Sequence, residues 1–81
     1  MKKEIGIVIH YFNNIGVAII ELSGTLRVND EISVEGGEKE FVEKINSMEM
    51  EKVKIKEAFS GDVVGIKLEE KVKKGYKIYK I

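Results

Sequence analysis

Residues 48–68 read MEMEKVKIKEAFSGDVVGIKL, and the period of this stretch decides the fold class. From Asp62 to Leu68 apolar residues recur at every second position, so Val64, Ile66 and Leu68 share one face of a strand. Ser60-Gly61-Asp62 precedes them as a turn. Residues 51–59 fit no element cleanly; Val53 and Ile55 alternate with lysines, which leaves a short edge strand open, its charges opposing pairing with another chain. Met48 and Met50 again share a face. A helix would space its apolar residues three and four apart, and nothing here sustains that spacing.

The same period runs outward in both directions. In EIGIVIHYF (residues 4–12), Ile5, Ile7, Ile9 and Tyr11 share one face and Gly6, Val8, His10 and Phe12 the other. Simple alternation puts Phe12 inside with Val8 and leaves Tyr11 partly exposed. Asn13-Asn14 reads as a turn, because asparagine tolerates left-handed backbone. A second strand over 15–22 points Ala18, Ile20 and Leu22 inward and Val17, Ile19 and Glu21 outward. In EISVE (31–35), Ile32 and Val34 face in and Ser33 faces out. After Gly36-Gly37, KEFVEKINSMEM (39–50) reads as one long strand with a β-bulge between 45 and 48. Lys73-Lys74-Gly75 turns into a last strand, YKIYKI. About six short strands with turns every ten residues or so predict an all-β, small closed or partly open antiparallel β-barrel.

The chain has 81 residues, which suits a single β-barrel domain. Such a chain buries roughly 60% of its unfolded surface, so its stability is modest. There is no cysteine, which removes disulfides, thiolate ligands and a thiol nucleophile. The formal charge is +0, against a general electrostatic grip on nucleic acid. The balance is uneven, however. Residues 35–51 hold six glutamates against two lysines, a local −4, and residues 67–81 hold six lysines against two glutamates, a local +4. No apolar run approaches the ~20 residues of a membrane span, and the start MKKEIGIV lacks a signal-peptide pattern, so a cytoplasmic location is expected. The lysine, glutamate and isoleucine bias suits a thermophile.

Catalytic motifs are missing. No glycine precedes a lysine as the phosphate-binding Gly-Lys-Ser/Thr loop requires, and no H-E-x-x-H or G-x-S-x-G occurs. No catalytic residue, metal ligand or cofactor is expected, and the chain reads as no enzyme.

Residues 48–68 do resemble one family. Met48-Glu49-Met50, Glu57-Ala58, Ser60-Gly61-Asp62 and Val64-Gly65 are similar to the "[IV]-E-M … [DE]-[AG]-x-[AS]-G-[DE]-x-V-G" of the second domain of translational GTPases such as elongation factor Tu. Upstream, LRVNDEISV resembles "[IL]-x-V-G-D-x-[VI]-x-[VI]", with Asn29 in place of the glycine. Near the end Lys74-Gly75-Tyr76 resembles "G-D-x-[VIL]", with Tyr76 in place of the aspartate. The resemblance implies a β-barrel without a G domain, similar to stand-alone elongation factor-like proteins, so GTP hydrolysis and nucleotide binding do not carry over. It implies binding of tRNA or rRNA, or of a translation-related partner, and places Glu49 where the family's glutamate lies by the terminal adenosine of tRNA.

The remaining candidate binding residues come from chemistry. Tyr11 and His10 stand at the tip of the first hairpin, where a ring and an imidazole could meet a ligand. Lys71, Lys73 and Lys74 form a basic loop. The alternatives are a protein-interaction barrel docking on a separate GTPase or other protein, and a small ribonucleoprotein barrel whose "P-x-x-G" pattern is absent here.

Overall fold

The computed structural model describes residues 2–81. Strands follow in the order β1 (Lys3–Phe12), β2 (Val17–Leu22), β3 (Leu26–Arg27), β4 (Glu31–Gly36) and β5 (Lys39–Lys44). Then come β6 (Met48–Met50), β7 (Val53–Ile55), β8 (Glu57–Ala58), β9 (Val63–Lys67) and β10 (Lys77–Lys80). Eight of them form one sheet in the order β5-β4-β10-β1-β2-β9-β6-β7, and β3 pairs with β8. The ladders are antiparallel. The all-β antiparallel expectation holds, and no helix forms among the described residues.

The sheet ends at β5 and β7, and the short β3–β8 ribbon bridges that gap. The Val28 amide donates to the Lys56 carbonyl after β7 at 2.9 Å, and the Asn29 amide to the Ile45 carbonyl after β5 at 2.7 Å. Asn29 takes φ 82°, the left-handed backbone that a glycine would otherwise supply. The result is a partly open barrel whose edges are bridged by loop hydrogen bonds rather than by one continuous ladder. Inside it Ile20, Leu26, Ile32, Val34, Ala58 and Ile78 are wholly buried. As alternation predicts, Ala18, Ile20, Leu22, Val64, Ile66 and Leu68 face inward.

Three local expectations are corrected. The first concerns β1. Val8 pairs with Ile20 but His10 pairs with Ile19, so Ile9 is an extra residue that reverses the faces beyond it. Tyr11 therefore packs against the core, and Phe12 turns outward, 42% exposed. The second concerns the long strand over 39–50, which is two strands, β5 and β6. Ile45 between them is buried and bonds the 29–30 loop, its amide donating to the Asp30 carbonyl at 2.9 Å. Ser33 is the third: it is buried, flanked in register by Tyr79 and Val42.

The first corner also differs in detail. Asn13 and Asn14 lie in the turn, but Gly16 carries its positive φ of 67°, and the Gly16 amide donates to the Phe12 carbonyl at 2.9 Å. Asp62 behaves as the turn chemistry predicts, its carboxylate accepting from the Phe59 amide at 2.9 Å.

Hairpin β6–β7 is tight. Met50 pairs with Val53, leaving Glu51 and Lys52 as a two-residue turn with φ of 53° and 68°. Two left-handed residues match strand twist in such a turn, which is why Asn-Gly is favoured there. Glu51 and Lys52 are poorly suited to it. Changing them together to Asn and Gly is expected to raise the unfolding free energy by about 1 kcal/mol in urea titration. No gain would show that the turn is not strained.

Among the described residues the glutamates of the acidic segment pair with the start of the chain, not with the lysines of 67–81. Lys2 pairs with Glu35 and with Glu40, the latter at 3.0 Å. The Lys2 ammonium holds the Glu35 carboxyl below its ordinary range, and Glu35 in turn raises the lysine. Lys39, in the acidic segment, pairs with Glu70 at 3.5 Å, joining it to the basic loop.

Candidate functional site

Two concavities lie on either side of the β1 tip. The first is a groove of about 700 Å³ on the outer face of β2, β9 and β6. Val17 and Ile19 line it from β2, Val63 and Gly65 from β9, Glu49 from β6, and Phe12 and Ile15 from the first hairpin. The register explains the set: Val17 lies opposite Phe12 and Ile19 opposite Gly65, and Gly65 lies opposite Glu49. Gly65 contributes no side chain, and a Cβ there would sit 3.3 Å from Val17 and 3.4 Å from Ile19. Its absence keeps the middle of the groove open. Phe12, Ile15 and Val63 are 42%, 57% and 43% exposed, so the wall is apolar and wet. Glu51 and Lys52 of the strained hairpin stand at the rim with Asp62 and Lys67.

The second concavity is a basic cleft of about 520 Å³ lined by His10, Tyr11, Asn13, Lys39, Lys71, Val72, Lys73, Lys74 and Tyr76. It forms because the loop after β9 is pinned at several points. The Glu43 carboxylate on β5 accepts from the Glu69 amide at 3.0 Å and from the Glu70 amide at 3.1 Å. The Lys39 ammonium donates to the Lys71 carbonyl at 2.9 Å. Val72 is buried, the Gly75 amide donates to the Val8 carbonyl at 2.8 Å, and the Val8 amide donates to the Tyr76 carbonyl at 2.8 Å. Tyr76 lies flat on Gly36, where a Cβ would approach its ring to 2.1 Å. Glu43→Ala is expected to free the amides of Glu69 and Glu70, speeding their hydrogen exchange at least tenfold, equivalent to about 1.4 kcal/mol, while the β2 amides keep their protection. Equal exchange in the variant would mean that the carboxylate does not hold the loop.

His10, Tyr11, Lys71, Lys73 and Lys74 are thus brought together in one cleft, although about sixty positions separate them in the chain. Glu49 is not among them. It is exposed and lies in the apolar groove. The His10 and Phe12 rings meet edge to face with centroids 4.5 Å apart, so HYF forms the ridge between the two concavities. Sequence reasoning missed Phe12, Ile15, Val17, Ile19 and Val63 as groove residues. The available signal was the apolar character of Val17 and Ile19 on a face read as wet. Among the described residues, no group of three or more histidine, cysteine or acidic side chains could hold a metal, and no helix is long and apolar enough to cross a membrane.

Comparison with known proteins follows this geometry. The family model of elongation factor Tu domain 2 matches residues 17–79. A protease of Methanocaldococcus jannaschii, itself uncharacterized, is 34% identical over 79 residues, which is 96% of this chain but 19% of that protein. The chain therefore spans about a fifth of the relative's length. Two crystal structures of the C-terminal domain of a Geobacillus thermoleovorans protein assigned to the U32 peptidases superpose with TM-scores of 0.89. They are 20% and 21% identical, covering 94% and 95% of this chain and 96% and 90% of theirs. At that identity the likeness is one of fold.

These findings overturn the translational reading. The barrel matches its family, but a relative that shares 34% of its sequence is named a protease and not a translation factor. A stand-alone elongation factor-like role, with tRNA or rRNA as ligand, does not survive. The physical reason is that turns, small residues and register define the barrel, while the ligand is chosen mostly by surface residues outside the motif.

Proposed function

The chain belongs to the elongation factor Tu domain 2 family, and from that premise we propose that it is the non-catalytic accessory barrel of a protease of the U32 kind. In this reading the barrel docks on the catalytic body through its apolar groove. The groove itself carries the reading: three large hydrophobic side chains, Phe12, Ile15 and Val63, stand exposed around one concavity. Contiguous exposed apolar surface of this kind marks a contact site in soluble proteins. A mixed rim of Glu49, Glu51, Asp62, Lys52 and Lys67 surrounds it, as polar residues surround an interface core.

The non-catalytic part of the reading rests on chemistry. The chain has no cysteine and one histidine, and that histidine packs on a phenylalanine ring. The barrel then contributes position and specificity while another body supplies the bond-breaking groups.

The test uses the Methanocaldococcus jannaschii relative with its matched segment removed. Mixed with the 81-residue chain, it is expected to form a one-to-one complex on size exclusion. Separate elution at tens of micromolar, together with no chemical-shift change around the groove, would overturn the docking role.

A further inference from the structure

We propose that the basic cleft between the β1 tip and residues 69–76 binds an acidic polypeptide segment, its spaced carboxylates taken by Lys71, Lys73 and Lys74. This goes beyond the docking groove, because it concerns a different surface with the opposite chemistry. The first support is charge left unmatched. Lys39 in the cleft wall is engaged by Glu70 at 3.5 Å and by the Lys71 carbonyl. The ion pairs among the described residues include none for Lys71, Lys73 or Lys74. Three exposed ammonium groups therefore crowd one short loop without ion-pair partners among the described residues.

Preorganisation is the second support. A floppy loop would lose entropy on ordering around a ligand, but this one is fastened by Glu43, Val72, Val8 and the Tyr76–Gly36 stack before any ligand arrives. With Val72 turned into the core, the lysines on either side of it stay in solvent. Tyr11 and Tyr76 give the cleft half-buried aromatic walls against which a peptide backbone can lie.

The form of the charge favours carboxylates in a chain over a compact phosphate. Phosphate sites characteristically present converging backbone amides, at a helix N-terminus or in a nest. No helix opens on this cleft, and the amides of Glu69, Glu70, Gly75 and Tyr76 are already committed to Glu43, Val8 and Lys73. The ammonium groups of Lys71, Lys73 and Lys74 are flexible point charges spaced along the loop, a match for single charges repeated along an extended partner.

The test is NMR titration of the labelled 81-residue chain at low salt with hexaglutamate, with inorganic pyrophosphate and with a short uridine oligonucleotide. Hexaglutamate is expected to move the amide signals of Tyr11, Asn13 and residues 71–76 saturably, and added salt to weaken the effect. The triple variant Lys71→Gln, Lys73→Gln, Lys74→Gln is expected to bind at least tenfold more weakly with an unchanged unfolding midpoint, each exposed pair contributing modestly. Lys54→Gln, whose exposed lysine stands on β7 and lines neither concavity, is expected to bind as before. Absence of shifts with hexaglutamate, equal binding by the triple variant, or saturable binding of pyrophosphate or the oligonucleotide in preference to hexaglutamate would each overturn the proposal. If the triple variant does not fold, shifts confined to residues far from the cleft in the unaltered chain would do so.

Discussion

Ile20→Ala is expected to lower the unfolding free energy by about 3 kcal/mol, toward the middle of the range for large-to-small changes in a core. Ile20 has no exposed surface and sits in the middle of β2, opposite Val8 on one side and Val64 on the other. Its Cγ2 also lies under Gly6, where a Cβ would approach to 2.7 Å. The backbones of β1 and β9 are hydrogen-bonded to β2, so the site cannot collapse around the smaller side chain and a cavity remains. In a domain of this size each kcal/mol moves the thermal midpoint by about 4–8 °C, so a fall of roughly 15 °C is expected. Circular dichroism during heating and in urea measures both. A loss below about 1 kcal/mol would show that β2 is not the centre of the barrel.

The double change Phe12→Ala and Ile15→Ala is expected to do the reverse: little to the fold, much to association. Both side chains are about half exposed and project from the hairpin tip into the groove. Removing them gives up little packing, so the unfolding free energy should stay within about 0.5 kcal/mol, as at other exposed sites. At an interface, aromatic and large aliphatic anchors carry most of the binding, with costs near 2 kcal/mol each at the centre of the patch. Affinity for the catalytic body should therefore fall by several hundredfold if the two costs add, about thirtyfold for either change alone, read by calorimetry against the truncated relative. Unchanged affinity would take the groove out of the contact. A large loss of stability instead would mean that Phe12 belongs to the core after all.

Most of the fold was legible because its signals are local. The alternation of Val64, Ile66 and Leu68 and the Ser60-Gly61-Asp62 turn kept the roles that their residue types suggested. The family motif at 48–65 carried the barrel correctly and its usual ligand incorrectly. Conflicts arose where pairing register, not residue type, decides the face. One extra residue at Ile9 was enough to exchange Tyr11 and Phe12. The break at 45–47 likewise came from hydrogen bonds to the 29–30 loop, which lies outside the strand that it interrupts.

By itself the sequence determined an all-β antiparallel barrel, its turns and its apolar interior, since these follow from side-chain period and backbone preference within a few residues. Only the tertiary structure decided that His10 and Tyr11 meet Lys71, Lys73 and Lys74 in one cleft while Glu49 joins Phe12 and Val63 in another. Those meetings depend on how strands distant in the chain slide against one another, and a single bulge changes which residues face which way.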